Sequence, residues 1–350
     1  MTPVPERFED ITADWLSQAL GVGVRQVDVL DAHAGTTGRA LLQLHYDRAS
    51  EDPASELPAR LFAKFPPSDE MQRLFVTSSG MGLREARFYQ SLAGEVPVRV
   101  PRPYYSDSDA SGERYVMLLE DLGMSGCTLS PTGQPRDYIL RVLRDFAALH
   151  AKYWDSQRFD SDLGWLQPPQ QHDVAVGLVQ QSLAERGSQM PAVFTAMAEL
   201  YIDAADDIHA LWNEGTPTVV HGDVHNNNLF LDGERPGFLD WALVARAPAM
   251  RDVGYFLGGA LAPEDVADGE ALLEYYREQL LALGVDAPSL TELRKQFAWH
   301  VAYVWVGAAV TLAMGDAWQP VEFVTRALER LHPTMEHLGS VDSLRSALGP

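Results

Sequence analysis

The sequence contains a single cysteine, Cys127, among its 350 residues. One thiol cannot form an internal disulfide bond, and it cannot supply a zinc site built from several cysteines. The first seven residues have neither a basic segment nor an apolar one, so we expect no signal peptide. We therefore predict a cytoplasmic protein that folds without disulfide bonds.

Cationic residues are scarce relative to acidic ones. Twenty-seven Lys and Arg residues stand against 49 Asp and Glu residues, which gives a formal net charge of −22. Binding to nucleic acid requires clustered cations that face the phosphates, so we predict that the chain does not bind nucleic acid. The same balance is compatible with a cationic small substrate, although solubility alone explains most of the surface acids.

Long apolar runs are also rare. The stretch 297–314 approaches the length of a transmembrane helix, but His300 lies within it and Gly307 interrupts it. We predict that this stretch is a buried helix of a large lobe and that the protein does not associate with a membrane.

The patterns that are present divide the chain into two parts. Apolar residues alternate between 24 and 46 around a break at 34–38, and further strand patterns follow at 60–65 and 114–119. Apolar residues then recur at three and four positions, which predicts helices at 136–154, 173–185, 192–213, 271–283, 292–314 and 321–338. The fold class is α+β. We predict a small N-terminal β-sheet lobe over 1–122, a hinge near 117–124 and a larger, mostly helical C-terminal lobe over 125–350.

A polar stretch at 221–228 lies between two apolar runs, and a short turn leads to a third apolar run that ends at Asp240. This pattern predicts a loop, a strand, a tight turn and a strand. It brings Asp223, Asn228 and Asp240 towards strand ends. Such a set suits a divalent cation and a hydroxyl group beside a nucleotide phosphate.

Candidate partners of a nucleotide precede this stretch. Lys64 ends an apolar strand that follows a turn with Gly35 and Gly38, whose backbone amides could cradle phosphates. An ordinary hairpin explains the two glycines equally well. Glu85, on a predicted helix, is our preferred partner for Lys64, and Glu70 is the rival.

The order of these groups resembles the protein-kinase-like superfamily. Residues 221–228 match the pattern His-Gly-Asp-x-His-x-x-Asn. That form is typical of small-molecule kinases (the aminoglycoside phosphotransferase, choline kinase and ecdysteroid-kinase-like group), whereas protein kinases usually have His-Arg-Asp. The runs 118–122 and 251–257 look most like the choline and ecdysteroid branch. The resemblance extends from about residue 10 to residue 335.

The resemblance implies a two-lobed fold and an ATP- and Mg²⁺-dependent transfer to a hydroxyl group of a small molecule. Asp223 would accept a hydrogen bond from that hydroxyl group, and Asn228 and Asp240 would bind Mg²⁺. Lys64 would contact the nucleotide phosphates and be held in place by Glu85.

The resemblance also implies supporting roles for other residues. Gly35 and Gly38 would lie near the phosphates, and backbone groups of Glu120 and Leu122 would bind adenine. The catalytic loop would be supported by His221, His225 and Asp252. Candidate residues of the acceptor pocket are Trp299, His300 and Tyr303, for which core packing is the alternative interpretation.

Two departures from the pattern bear on these roles. Asp240 is followed by Trp241 and Ala242, where protein kinases have Phe and Gly, and this favours a constitutive site over an activation-loop switch. The glycine turn lacks a complete G-x-G-x-x-G. These departures leave the charged groups intact.

The sequence leaves two alternative functions and two classes of acceptor undecided. A protein kinase is disfavoured because no Ala-Pro-Glu segment follows Asp240. A catalytically silent nucleotide-binding protein is disfavoured because Lys64, Asp223 and Asn228 are all present. The acidic composition favours an amine-bearing acceptor such as an aminoglycoside or choline, whereas the aromatic residues of the larger lobe suit a less polar alcohol.

Overall fold

The computed structural model describes residues 3–34, 37–47, 57–131, 133–261, 263–316 and 318–349. The chain divides into two compact units. The first unit comprises Met1–Leu129 and Phe230–Leu243, and the second comprises Ser130–Leu229 and Val244–Pro350.

The strands predicted over 24–46, 60–65 and 114–119 and the six predicted helices are all present, in the predicted order. The strands are β1 (Val24–Ala34), β2 (Gly38–Tyr46), β3 (Arg60–Phe65), β4 (Pro103–Ser108), β5 (Tyr115–Glu120), β6 (Thr128–Leu129), β7 (Pro217–Val220), β8 (Leu229–Asp232), β9 (Arg235–Phe238) and β10 (Ala245–Pro248). The helices are α1 (Ala13–Leu20), α2 (Glu70–Ser79), α3 (Met81–Ser91), α4 (Arg136–Lys152), α5 (Asp173–Arg186), α6 (Ala192–Trp212), α7 (Met250–Ala260), α8 (Gly269–Ala282), α9 (Leu290–Met314), α10 (Val321–Leu338) and α11 (Ser340–Leu348).

The first unit is built on an antiparallel sheet with the strand order β1-β2-β3-β5-β4. One face of the sheet buries an apolar core with α1, whose Trp15 and Leu16 are inside it. Helix α1 begins at Thr12, whose side chain accepts a hydrogen bond from the backbone of Trp15, and ends at Gly21 in the left-handed conformation. Strand β3 lies in the middle of this sheet, so its side chains are largely withdrawn from solvent.

Strands β6, β8 and β9 form a second sheet. The hairpin of β8 and β9 is tightly packed, because a Cβ atom on Gly237 would lie 2.2 Å from the ring of Phe230. The segment Phe230–Leu243 belongs to the first unit, although it lies C-terminal to the predicted boundary. Backbone pairing explains this, since the N–H of Phe238 donates to the carbonyl of Arg99 at 2.8 Å. The predicted boundary itself stays a prediction.

The second unit is mostly helical, and α9 lies within it. This helix packs against α5, α7 and α10, and it is long and apolar enough to cross a membrane by length and composition alone. In its most apolar window, 56% of the residues are buried inside the protein. The Ser182 hydroxyl of α5 donates to the Ala309 carbonyl of α9 at 2.6 Å. These contacts agree with the predicted buried helix.

The helix at 321–338 is the last one that the patterns predict, but a further helix follows it. Gly339 adopts a left-handed conformation with φ of +58°, and α11 follows it directly. Val341 and Leu344 of this last helix are buried. A glycine after an amphipathic helix predicts a stop, but the sequence alone does not show whether the chain then turns into another helix.

Candidate active site

Lys64 and Glu85 form a buried ion pair in the first unit. Lys64 lies on β3 and Glu85 on α3, and Lys64 Nζ donates to Glu85 Oε2 at 2.5 Å. The side chains are 5% and 0% exposed. Glu70, the rival partner, lies exposed at the start of α2. The structure therefore brings Lys64 together with the partner that we preferred.

The environment of Glu85 opposes its negative charge. Burial raises the pKa of this carboxyl group to about 7, although the ammonium group of Lys64 acts in the opposite direction. The Oε1 atom is buried and has no hydrogen-bond partner. The ion pair is thus costly to desolvate and needs a specific geometry to persist. A buried ion pair of this kind holds the lysine side chain in one position.

Asp240 extends this cluster in the same unit. Its Oδ1 lies 3.3 Å from Lys64 Nζ, and its Oδ2 lies 3.3 Å from Nη2 of Arg39. Its backbone has φ of +63°, which is an uncommon conformation for a residue other than glycine. A carboxylate that lies beside two cations on a backbone of uncommon conformation is consistent with a functional position.

Trp241 anchors the segment that carries Asp240. The indole is fully buried and stacks on Phe88 of α3, with ring centroids 4.0 Å apart and an interplanar angle of 7°. The next residue is tied to the same helix, because Arg84 Nε donates to the Ala242 carbonyl at 3.1 Å. The large aromatic residue at this position thus fixes the segment by packing.

Of the two glycines of the predicted phosphate-binding turn, the structure describes Gly38. Gly35 lies outside the described residues. Gly38 opens β2, where a Cβ atom would lie 2.2 Å from the ring of Phe65. The absence of a side chain at Gly38 is therefore required by packing, and its contact with phosphate stays a prediction.

The predicted adenine contacts are partly occupied within the first unit. The N–H of Glu120 donates to the carbonyl of Arg102, and the carbonyl of Leu122 accepts from the N–H of Cys127, both at 2.9 Å. The carboxylate of Glu120 binds Arg99 at 2.7 Å. Hydrogen bonding to adenine by this segment stays a prediction, and it would have to use other backbone groups.

In the second unit, Asp223 lies in the loop that follows β7. Its Oδ1 accepts a hydrogen bond from the Tyr255 hydroxyl at 2.9 Å, and its Oδ2 accepts one from Asn228 Nδ2 at 3.0 Å. Nε2 of His225 lies 3.6 Å from the same Oδ2. The side chain of Asp223 is 29% exposed. The carboxylate is thus held in one orientation but still open to a substrate.

The orientation of the Asn228 amide is also fixed. Its nitrogen donates to both the backbone carbonyl and the carboxylate of Asp223, at 2.9 and 3.0 Å. The amide oxygen points the other way, because the two atoms lie on opposite sides of the amide carbon. This leaves an oxygen acceptor of the kind that Mg²⁺ prefers.

Asp252 supports the loop from the first turn of α7. Its two oxygens accept hydrogen bonds from the backbone N–H groups of His221 and Gly222, at 2.7 and 2.8 Å. His150 lies 3.3 Å from Oδ2, and its other ring nitrogen lies 2.7 Å from the Tyr276 hydroxyl. Burial opposes the charge of Asp252, but these donors hold its pKa below the ordinary value.

The two histidines of the loop differ in burial. His221 is fully buried, and its Nδ1 accepts the N–H of Asp223 at 3.2 Å. The side chain of His225 is 37% exposed, while its Nδ1 is buried without a hydrogen-bond partner. Both contact Asp223, which is the arrangement expected of loop supports, although their roles stay predictions.

Two of the three candidates for the acceptor pocket, Trp299 and His300, are core residues of α9. Trp299 is buried and donates from Nε1 to the Ser343 hydroxyl at 3.0 Å. The ring nitrogens of His300 lie 2.9 and 3.2 Å from the carbonyls of Gln296 and Trp212, and burial lowers the pKa of His300 to about 4. Both residues pack as core residues do.

Tyr303 is the candidate that contacts the catalytic loop. Its hydroxyl donates to the Gly222 carbonyl at 3.1 Å. The guanidinium of Arg251 lies 4.1 Å from the centroid of the Tyr303 ring, and Arg251 itself is only 1% exposed. One face of this ring is therefore already occupied by a cation.

Sequence reasoning missed Arg39, Arg251 and Tyr255. Tyr255 could have been found because it lies three residues after Asp252 on one helix, where neighbours share a face. Arg39 could have been found from the hairpin, since it lies opposite Lys64 in the register of β2 and β3. The sequence carries no comparable signal for Arg251.

The two predicted metal ligands, each described within its own unit, offer oxygen atoms, which suit magnesium better than a transition metal. Among the described residues, the structure contains no group of three His, Cys, Asp or Glu side chains that could hold a metal ion. Mg²⁺ with a nucleotide needs only one or two carboxylates, because phosphates and waters complete its shell. The Asp240 carboxylate and the Asn228 amide oxygen are of that chemical type.

Comparison with known proteins identifies the family. Residues 56–293 match the model of the phosphotransferase enzyme family. Among curated proteins, none matches the chain significantly.

Three solved structures are similar to the chain over most of its length. The choline kinase from Cryptosporidium parvum Iowa II has a TM-score of 0.53 and 12% identity, and the match covers 93% of this chain and 94% of that one. The Plasmodium vivax ethanolamine kinase has a TM-score of 0.50 and 11% identity, with 90% and 83% covered. The GDP complex of an aminoglycoside 2'-phosphotransferase-IIIa mutant has a TM-score of 0.50 and 13% identity, with 93% and 97% covered.

These similarities confirm the predicted α+β, kinase-like fold. The match of the family model spans more than half of the chain. The chain belongs to the phosphotransferase enzyme family, within the protein-kinase-like superfamily of small-molecule kinases.

Proposed function

We propose that the protein is a kinase that transfers the γ-phosphate of ATP, with Mg²⁺, to a hydroxyl group of a small molecule. The observation that carries this proposal is the pair of hydrogen bonds that hold Asp223, from Tyr255 and from Asn228. A carboxylate oriented by neutral donors and still open to solvent can receive a substrate hydroxyl group.

In the reaction, Asp223 accepts a hydrogen bond from the acceptor hydroxyl group and orients its oxygen towards the γ-phosphorus. A bond forms between that oxygen and phosphorus, and the bond between phosphorus and the leaving oxygen of ADP breaks. The hydroxyl proton passes to the Asp223 carboxylate and from there to solvent. Asp252 keeps the loop in place through the backbone of His221 and Gly222.

The charged side chains of the first unit compensate the negative charge of the nucleotide phosphates. Lys64, held by Glu85, neutralises phosphate oxygens as negative charge shifts to the leaving group. Bound Mg²⁺ would supply further neutralisation, with Asn228 and Asp240 as its protein ligands. Catalysis of this kind consists mostly of positioning and charge compensation, so a few fixed side chains are sufficient.

The choice of nucleotide and acceptor is part of the proposal. One similar structure is a GDP complex, so GTP is the alternative phosphate donor to ATP. The similar structures are named for choline, ethanolamine and an aminoglycoside, which are amines. The net charge of −22 agrees with such an acceptor. Because Arg251 occupies one face of the Tyr303 ring, neutral alcohols belong in the test as well.

The test is release of ADP or GDP from the purified protein with Mg²⁺ and a panel of cationic and neutral alcohols, with the product identified by mass spectrometry. We expect one acceptor class to stimulate release and to gain one phosphate. Asp223→Asn should lower kcat by about 10²-fold or more, as expected for a lost proton acceptor, whereas Asp206→Asn on the exposed side of α6 should not.

The same assay decides between the alternatives. Excess EDTA should abolish transfer if Mg²⁺ is required. A wild-type protein that binds Mg-ATP but transfers to no alcohol would support a silent nucleotide-binding protein, and transfer to protein substrates alone would support a protein kinase. Uniform silence from the cationic acceptors would contradict the inference from charge.

A further inference from the structure

Arg39 forms the second cationic contact of Asp240. It lies on β2 directly opposite Lys64 of β3 in the antiparallel register, so both side chains project from the same face of the sheet. Each cation donates a hydrogen bond to a different oxygen of Asp240. Lys64 Nζ donates to Oδ1, and Arg39 Nη2 donates to Oδ2. A carboxylate predicted to serve a nucleotide site is therefore held between two positive charges.

The two cations differ in what else they contact. Lys64 is 5% exposed, and a buried carboxylate, that of Glu85, compensates its charge. The side chain of Arg39 is 41% exposed, and its other hydrogen bond joins Nε to the Thr37 hydroxyl at a long 3.4 Å. Arg39 is thus the more accessible of the two cations and the less tightly held.

The contact between Arg39 and Asp240 is weak enough to exchange. Ion pairs with a solvent-exposed partner contribute little to stability, because water competes for both charges. A guanidinium group has five N–H donors in a planar fork that matches phosphate oxygens, and a polyphosphate carries more charge than one carboxylate. A nucleotide phosphate can therefore replace Asp240 as the partner of Arg39 at small cost.

We infer that Arg39 is a second phosphate-binding cation of the nucleotide site, directed at the terminal phosphates, which it binds in exchange for its contact with Asp240. This inference rests on the proposed function, since it takes a nucleoside triphosphate as the ligand. Lys64 would then provide a fixed charge and Arg39 a movable one.

The alternative role of Arg39 is purely structural. It could hold the left-handed backbone of Asp240 in place by pairing with its carboxylate. A structural role would change the affinity for every nucleotide equally, because it acts through the shape of the site. Direct binding to terminal phosphates would contribute strongly to the affinity for ATP, less to that for ADP and hardly at all to that for AMP.

The experiment compares equilibrium dissociation constants of ATP, ADP and AMP, measured by displacement of a fluorescent ATP analogue in Mg²⁺ buffer. The variants are Arg39→Gln and Arg39→Lys, with Arg25→Gln as the control. Arg25 is an exposed arginine on β1 of the same sheet. Melting temperatures of all variants are recorded to show that they fold.

We expect Arg39→Gln to weaken ATP binding about tenfold and AMP binding less than twofold, with Arg39→Lys in between and Arg25→Gln unchanged. The dependence of ATP affinity on salt should also be weaker in Arg39→Gln. An equal loss for the three nucleotides, or no loss for ATP, would overturn the inference.

The outcome is separable from that of the proposed function. A wild-type protein that binds ATP but phosphorylates no acceptor overturns the kinase assignment, while the ratio of ATP to AMP affinities still decides the role of Arg39. A wild-type protein that binds no nucleotide overturns both.

Discussion

The hydroxyl of Tyr255 donates a 2.9 Å hydrogen bond to Oδ1 of Asp223. Burial and the neighbouring carboxylate raise the pKa of Tyr255 well above its ordinary value, so this hydroxyl stays a donor at neutral pH. Tyr255 lies on the helix that also carries Asp252, the residue that holds the loop backbone. One helix therefore orients both the backbone and the side chain of the proposed catalytic residue.

The first prediction concerns this hydrogen bond. Tyr255→Phe removes the donor and leaves the ring, so Asp223 loses one of the two groups that orient it. A hydrogen bond to a charged acceptor contributes about 1.5–3 kcal/mol, and we expect kcat to fall about tenfold or more with the KM for ATP almost unchanged. Steady-state kinetics with the acceptor that the proposed panel identifies measure both constants. Tyr275→Phe on α8 is the control, and an unchanged kcat in Tyr255→Phe would show that the contact is not used.

The second prediction concerns Asp252. Asp252→Asn replaces one acceptor oxygen with an N–H₂ group, which leaves a buried backbone N–H of the loop without a partner. We expect the free energy of unfolding to fall by about 3 kcal/mol, as measured by urea denaturation. Asp206→Asn, at an exposed position of α6, should change it by less than about 0.5 kcal/mol.

The pH dependence of this contribution follows from the pKa of Asp252. The pKa in the folded protein lies below the ordinary value. The stabilisation is therefore complete above about pH 4 and is lost as the pH falls through the folded-state pKa. The difference between wild type and Asp252→Asn should be constant from pH 5 to pH 8, and a difference that varied in this range would contradict the assignment.

The third prediction tests the contact between α7 and α9. A Cβ atom on Gly254 would lie 2.7 Å from Cβ of His300, whereas the same atom on Gly259 would meet nothing within 4 Å. Gly254→Ala should force the two helices apart and destabilise the protein by about 1–3 kcal/mol. Gly259→Ala on the same helix should stabilise it by about 0.5–1 kcal/mol through helix propensity.

Thermal unfolding of the two variants measures these opposite effects. Equal melting temperatures would show that the helices can separate without cost. Gly254→Ala should also lower kcat, because it moves the helix that carries Asp252 and Tyr255.

The fourth prediction concerns acid stability. His332 of α10 is buried, and its Nε2 has no hydrogen-bond partner. Burial lowers its pKa from 6.5 to about 4. The neutral ring is thus favoured in the folded state, and its stabilisation is complete above pH 6.5 and lost as the pH falls towards 4. At 1.36 kcal/mol for each pKa unit, this loss amounts to up to about 3 kcal/mol.

We expect His332→Gln to reduce the difference in unfolding free energy between pH 7 and pH 4 by that amount. Urea denaturation at several pH values provides the measurement. His337→Gln, at an exposed position near the end of the same helix, should leave the difference unchanged. An unaltered pH dependence in His332→Gln would show that this histidine does not titrate with unfolding.

Most of the elements and most residues of the proposed chemistry are predictable from the sequence alone. Alternating and helical periodicity predicted most strands and helices, because these periods follow from backbone geometry. The catalytic loop was readable because its groups are close in sequence. Asn228 lies five residues after Asp223, so a short turn is sufficient to bring them together.

Contacts between residues that are far apart in the sequence depend on how the elements pack. In the folded protein, Lys64 pairs with Glu85 and not with Glu70, and Arg39 contacts Asp240. Both contacts depend on strand order and helix packing. The segment Phe230–Leu243 belongs to the first unit because it pairs with residues more than a hundred positions away in the sequence. Periodicity describes one element at a time, whereas these contacts arise from the packing of several elements, so periodicity alone does not predict them.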